Sequence, residues 1–345
     1  MDFLSKCGKV ANTVFFFYSL DMLKKPSVAV ILVNYNNETD TIAAVASLKK
    51  ITYSRYKIFI VDNGSAEKSV LKLRPLIPLR QGFAGRVDGN IELIETGKNL
   101  GFSGGNNVAI KKALAENFDY ILLLNNDTEV EPDFLDELVK AAESGESAGR
   151  RIGVAGPKIY FYSDPKRIWF GGGHFSWFGG GRHLRYDEID SASQPSLLNV
   201  SPEETGYMTG CAFLIKAKVV KEIGLLCEDF FLYYEDTDWS LRAKKAGYKI
   251  MYVPAAKIYH KVSRTASVLG NPTIHYYHIR NALLLSKRQA PKIILAGIYI
   301  WSVSHYLKQI IKLAILPSKR EISKMIMRGI EDFWKGKFGK YGNSE

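Results

Sequence analysis

Four short apolar runs, each breaking off into amides, carboxylates or glycines, constrain this chain more than any other feature. They are residues 28–33, 57–61, 91–94 and 120–124. Runs this short, rich in Val, Ile and Leu, read as strands buried on both faces. Between them lie segments with helical spacing, such as 38–50 with Ile42, Val45 and Leu48 on one stripe, and a helix to about Glu116. Strand–helix alternation of this kind predicts an α/β fold with a doubly wound, mainly parallel sheet. Ligands of such sheets bind beyond the carboxyl ends of the strands. The turns Asn34-Tyr35-Asn36, Asp62-Asn63-Gly64, Asn99 to Asn107 and Asn125-Asn126-Asp127 would therefore share one edge. Asp127, with amides beside it, suits a hard divalent cation holding a substrate diphosphate. Asn and Asp also end strands for local reasons; four loaded turns on one edge go beyond that.

The chain has 345 residues, enough for one large α/β domain with an appendage. Residues 1–25 carry a short apolar patch between lysines, which fits a helix leaning on a membrane or on the fold; there is no small-residue cleavage site. The main body is expected to span 26–265, with a first half at 26–150 that carries the four turns and a second half at 151–265. In the latter, triple glycines at 171–173 and 179–181 flank exposed-looking aromatics, and 248–253 reads as a strand. Cys7, Cys211 and Cys227 lack metal-type spacing and fit a reducing compartment.

Net charge is +12, and residues 287–345 hold twelve Lys and Arg against four Asp and Glu, a net of +8. Such a tail, 266–345, suits an anionic surface. No nucleic-acid-binding signature is present, so the expected surface is phospholipid and nucleic acid is not expected as a partner. Residues 293–307 carry no formal charge, too few for a span of about twenty. An interfacial helix or an interface between copies in a homo-oligomer fits them. The expected location is the cytoplasmic side of the cell membrane.

Taken in order, Val33-Asn34-Tyr35-Asn36, Asp62-Asn63-Gly64-Ser65, Asn99 to Asn106, Asn125-Asn126-Asp127, Thr209-Gly210, Glu235-Asp236-Thr237-Asp238 and His260 resemble glycosyltransferase family 2. These are the inverting, nucleotide-sugar-dependent enzymes of GT-A fold, and the likeness is greatest to rhamnosyltransferase-like and galactofuranosyltransferase-like members. It runs from about Ser27 to His260, and it implies a nucleotide-binding half at 26–150 and an acceptor-binding, catalytic half at 151–265. The resemblance implies transfer of a sugar from a UDP- or dTDP-linked donor to a glycan or lipid-linked glycan acceptor, in surface polysaccharide synthesis. It implies donor contacts from Val33, Asn34, Tyr35, Asp62, Lys98, Asn99, Gly101, Phe102, Asn106, Asn125 and Asn126. Asp62 would bond the ring N–H of a pyrimidine, and the glycine-rich turn would open a helix toward an anion. Asp127 and His260 would hold Mn2+ or Mg2+. Asn125 stands where the family's metal motif has its first carboxylate, which leaves room for a catalytically inactive scaffold that binds nucleotide or partner enzymes. Asp236 would be the base, oriented by Glu235 and Asp238. Trp169, Trp177, Thr209, Gly210 and Trp239 are candidate acceptor contacts.

Overall fold

The computed structural model describes residues 25–77, 90–147, 151–190, 201–262 and 272–342. The expected helix at 1–25 therefore lies outside the described residues. The first half follows the predicted alternation: β1 (Val28–Asn34), α1 (Glu38–Leu48), β2 (Tyr56–Asp62), α2 (Glu67–Leu73), β3 (Ile91–Glu95), α3 (Gly101–Ala115) and β4 (Tyr120–Leu124). β1 pairs in parallel with β2 and β4, and β2 with β3. The central strands are buried along nearly their whole length, which is why they read as unbroken apolar runs.

The second half corrects the expectation of a mainly parallel sheet. It contributes β5 (Thr128–Val130), α4 (Phe134–Ser147), β6 (Ile152–Phe161), β7 (Asp164–Phe170), β8 (Gly173–Ser176), β9 (Gly180–His183), β10 (Glu203–Glu204), β11 (Ala212–Lys216), α5 (Ala217–Ile223), α6 (Glu235–Lys245) and β12 (Lys249–His260). β11 runs antiparallel to both β4 and β6, so the sheet is mixed, in the order β10-β12-β6-β11-β4-β1-β2-β3. β8 and β9 form a separate hairpin. The strand expected at 248–253 is one twelve-residue strand ending at His260, interrupted by an irregularity between Val253 and Lys257.

The C-terminal region forms α7 (Pro272–Gln289), α8 (Lys292–Ile315) and α9 (Arg320–Trp334). Leu283, Leu284, Ile298, Ile330 and Phe333 join Phe230 in an apolar cluster of their own. Gly329 lets α9 press onto α7: a Cβ there would lie 2.8 Å from the Tyr276 carbonyl oxygen. Among the described residues no helix is long and apolar enough to cross a membrane.

Candidate active site

The strand ends build a connected edge. β1 and β2 place Asn34 beside Asp62, and Asn34 Nδ2 donates to Asp62 Oδ1 at 2.9 Å. Asn34 Oδ1 accepts from the Thr41 hydroxyl at 3.0 Å, and Asp62 Oδ2 from the Ser65 N–H at 3.0 Å. Each carboxylate oxygen has a second lone pair, so Asp62 keeps acceptor capacity. Tyr35 stands half exposed above this network, while Val33 packs beneath α3, where a Cβ on Gly105 would lie 3.0 Å from Val33 Cγ1.

The glycine-rich stretch departs from the expected anion cradle. Gly101 to Gly105 are the first turns of α3, not a loop. The leading N–H groups are already taken: Leu100 donates to Asn63 Oδ1 at 3.0 Å, Gly101 to Asn99 Oδ1 at 2.9 Å, and Phe102 to the Phe231 carbonyl at 2.7 Å. Asn106 donates to the Phe102 carbonyl at 2.9 Å. The glycines allow close packing of helix on sheet, and Asn99 shapes the turn. Asn63, missed as a separate site residue, holds this turn by also donating to the Gly101 carbonyl at 3.0 Å. Lys98 is exposed beside it.

At the next strand end the Asn125 N–H donates to the Cys211 carbonyl at 2.8 Å, and Asn126 Nδ2 to the Thr41 hydroxyl at 2.9 Å. Asp127 and His260 are both buried, with Oδ1 3.2 Å from Nε2. Neither atom, nor His260 Nδ1, makes a well-directed hydrogen bond among the described residues. Burial opposes a charge on His260, but Cys211 and Asp127 beside it push its pKa up to about 10. Among the described residues no three His, Cys, Asp or Glu side chains converge into a self-sufficient metal site. A buried carboxylate–imidazole pair with unsatisfied atoms nevertheless fits a cation that displaces the imidazole proton and completes its shell with substrate oxygens. Trp169 lies edge-on against the His260 ring, centroids 4.5 Å apart, so it walls this pair rather than offering an open sugar platform.

Asp236 sits in the first turn of α6. Its Oδ2 accepts from the Gly210 N–H at 2.7 Å, and its Oδ1 from the Thr237 N–H at 2.6 Å and hydroxyl at 3.1 Å. Gly210 thus grips the Asp236 carboxylate, and the Thr209 hydroxyl accepts from the Cys211 N–H at 3.4 Å. The ring of Phe102 closes over the same point: a Cβ on Gly210 would lie 3.1 Å from it. Burial raises the Asp236 pKa above its ordinary value, against the pull of these donors. Burial and then the Asp236 charge hold Glu235 well above the ordinary range, which favours its protonated form, and its Oε2 has no partner among the described residues.

Two expected site residues belong elsewhere. Asp238 is fully buried, accepting from Arg242 Nε at 2.9 Å, Arg288 Nε at 3.3 Å and Gln289 Nε2 at 2.8 Å. It ties α6 to α7 and does not orient Asp236. Trp239 is buried against Phe213, its Nε1 donating to the Gly224 carbonyl at 3.0 Å, and is core. Trp177 packs edge-on against Phe175 and lines a cavity beside the C-terminal helices.

Sequence reasoning also missed Arg280 and Asn281 on α7. Both are fully buried. Asn281 Nδ2 donates to the carbonyls of Phe230, Leu232 and Tyr233 at 2.8, 2.7 and 3.0 Å. Arg280 Nη2 donates to those of Asp229 and Phe230 at 3.2 and 3.1 Å. The clasped segment leads directly into Glu235-Asp236, and Phe231, Tyr233 and Tyr234 in it hold left-handed φ angles of 62°, 70° and 75°. The tail expected at 266–345 is therefore bonded, through Arg280 and Asn281, to the segment before Glu235.

A mixed α/β sheet with nucleotide-type turns, an Asp–His pair and a gripped carboxylate along one edge defines a transferase of GT-A architecture. The chain belongs to glycosyl transferase family 2, whose family model matches residues 29–224, and it is a glycosyltransferase. It is 21% identical over 227 residues to the dTDP-rhamnosyl transferase RfbF of Shigella flexneri, covering 62% of this chain and 70% of that one. It is 26% identical over 283 residues to the N-acetylglucosaminyl-diphospho-decaprenol L-rhamnosyltransferase of Mycobacterium tuberculosis, covering 76% and 84%. In fold it matches the crystal structure of GalNAc-T7 with UDP, GalNAc and Mn2+ at a TM-score of 0.55 and 18% identity, covering 76% of this chain but only about half, 51%, of that one.

Proposed function

We propose that the chain performs an inverting, metal-dependent sugar transfer from a UDP- or dTDP-linked donor to a glycan or lipid-linked glycan in surface polysaccharide synthesis. The observation that carries this is a continuous chain of bonds: Asp236 to Gly210, then Cys211 to Asn125, two residues from the Asp127–His260 pair. Base and diphosphate site thus share one rigid edge. Asn34, Tyr35 and Asp62 receive the base of the nucleotide. Asp127 and His260 would hold a divalent cation, which would supply positive charge to neutralise the departing diphosphate. Asp236 takes the proton of the acceptor hydroxyl as that oxygen attacks the anomeric carbon from the opposite face, so the configuration inverts. Gly210 and Thr237 keep the Asp236 carboxylate aimed while it does so.

The decisive test is calorimetric binding of UDP and dTDP with and without Mn2+. The wild type should bind one of them in a metal-dependent way, and Asp127→Ala should weaken that binding at least tenfold. Binding of neither nucleotide would favour an inactive scaffold, with the amide at Asn125 as the cause.

The protein works at the cytoplasmic membrane face, resting on α8. This helix turns Ile293, Ile300, Val303, Leu307, Ile311 and Ile315 to solvent, and Lys292, Lys308 and Lys312 lie along it. An apolar stripe rimmed by lysines suits the interface of an anionic bilayer. Ile300→Asp with Ile311→Asp should weaken sedimentation with phosphatidylglycerol vesicles about a hundredfold, since each buried Ile contributes about 1.5–3 kcal/mol. Unchanged sedimentation would turn this face into a contact between copies, read by light scattering.

A further inference from the structure

We infer that the cavity between the β8–β9 hairpin and the C-terminal helices holds the first isoprenoid units of a polyprenyl-diphosphate acceptor. This rests on the transfer reading above and adds where the acceptor's hydrocarbon lies. The cavity has a volume of about 340 Å³, within the roughly 300–1,000 Å³ of small-molecule sites. Its walls come from Trp177 at the hairpin, Tyr234 before the catalytic pair, His278 and Ala282 on α7, and Ile298 and Trp301 on α8.

The chemistry of the walls selects hydrocarbon over sugar. Among the described residues, none that lines it is Asp, Glu, Asn, Gln, Lys or Arg, the side chains that bond several sugar hydroxyls at once. Aromatic and aliphatic surface predominates, and removal of an isoprenoid from water into it is favourable at about 25 cal/mol per Å². His278 stacks on Tyr233 with centroids 4.4 Å apart, and burial lowers its pKa, which keeps that wall uncharged at neutral pH.

Position supports the same occupant. Tyr234 belongs to the cavity and the next two residues are Glu235 and Asp236. A lipid-diphosphate-sugar can thus present its sugar to the base while its chain runs back past Tyr234. At the other end Trp301 is partly exposed on α8, next to the apolar stripe of Ile300, Val303 and Leu307. The cavity therefore continues into the face that would lie on the bilayer, and a membrane-held chain can enter without crossing water.

The test uses the full chain and a diazirine-bearing farnesyl diphosphate as photoprobe, with labelled peptides mapped by mass spectrometry. Label is expected on the peptides carrying Trp177, Ala282 and Trp301, displaced by farnesol but not by inorganic diphosphate. Ala282→Trp, which fills the cavity, and Trp301→Ala, which opens an exposed wall, should each cut labelling at least tenfold. Melting temperature and nucleotide binding, measured in both variants, should stay at their wild-type values. Label spread along α8 and insensitive to Ala282→Trp, or displacement by diphosphate alone, would overturn the assignment. Labelling needs no donor. Intact labelling without nucleotide binding would refute the transfer reading alone, and nucleotide binding without cavity label would refute the cavity alone.

Discussion

Asp236→Asn should lower sugar transfer by about 10²- to 10⁴-fold, the usual contribution of a positioned base, while leaving nucleotide binding unchanged. The amide keeps the shape of the carboxylate and can still accept from the Gly210 N–H through its oxygen, so the hold on the loop at Gly210 survives; the bonds lost are those from Thr237, the next residue of the same helix turn. What it cannot do is take a proton. The pH dependence gives a second, independent reading. A base acts only when deprotonated, and burial raises the Asp236 pKa above the ordinary carboxylate value. Wild-type transfer should therefore rise with pH through that raised pKa and level off above it; the Asn variant should lack this limb. Single-turnover rates over a pH series, with calorimetric donor binding beside them, check both. A variant retaining more than a tenth of wild-type transfer would move the base elsewhere, with Glu235 as the neighbour to examine.

The edge of polar strand ends was legible in sequence because each end announces itself: a β-branched run stops at a polar residue, and parallel topology alone collects such ends. The roles of the glycines were not legible. Gly101 to Gly105 read as a turn opening a helix toward an anion, whereas they lie inside α3 and allow its close approach to Val33 and Asn63. The long final strand was hidden by its irregularity between Val253 and Lys257, which breaks the two-residue alternation. Asp238 looked catalytic because it follows two acids at the start of a helix. Its pairing with Arg242, one helix turn on, is legible locally, but its other partners, Arg288 and Gln289, lie some fifty residues later, and no local pattern encodes those contacts. Trp239 shows the same limit: an aromatic beside a catalytic motif reads as a platform until its burial against Phe213 is seen.

Asn281→Leu should lower kcat about a hundredfold while donor affinity stays within a factor of two. The substitution preserves bulk but removes the one amide group that bonds three carbonyls of the catalytic segment. Those bonds, with the two from Arg280, contribute about 0.5–3 kcal/mol each. They oppose strain of about 1–3 kcal/mol at each left-handed residue, here Phe231, Tyr233 and Tyr234. The two totals are of similar size, so removing the two amide N–H donors shared by the three carbonyls releases the segment into ordinary backbone geometry. The donor edge, built from Asn34, Asp62 and Asp127, shares none of these bonds and should bind as before. Asp236 would lose its aim, and a displacement of about 1 Å can cost a hundredfold in rate. The comparison with Asp236→Asn distinguishes positioning from chemistry. Asn281→Leu should keep the rising pH limb at a reduced plateau, because the base is still present, whereas Asp236→Asn abolishes the limb. A more conservative Asn281→Gln, able to reach some of the same carbonyls, should recover part of the rate. If Asn281→Leu instead weakened donor binding and transfer together, α7 would be supporting the whole fold rather than holding the catalytic loop.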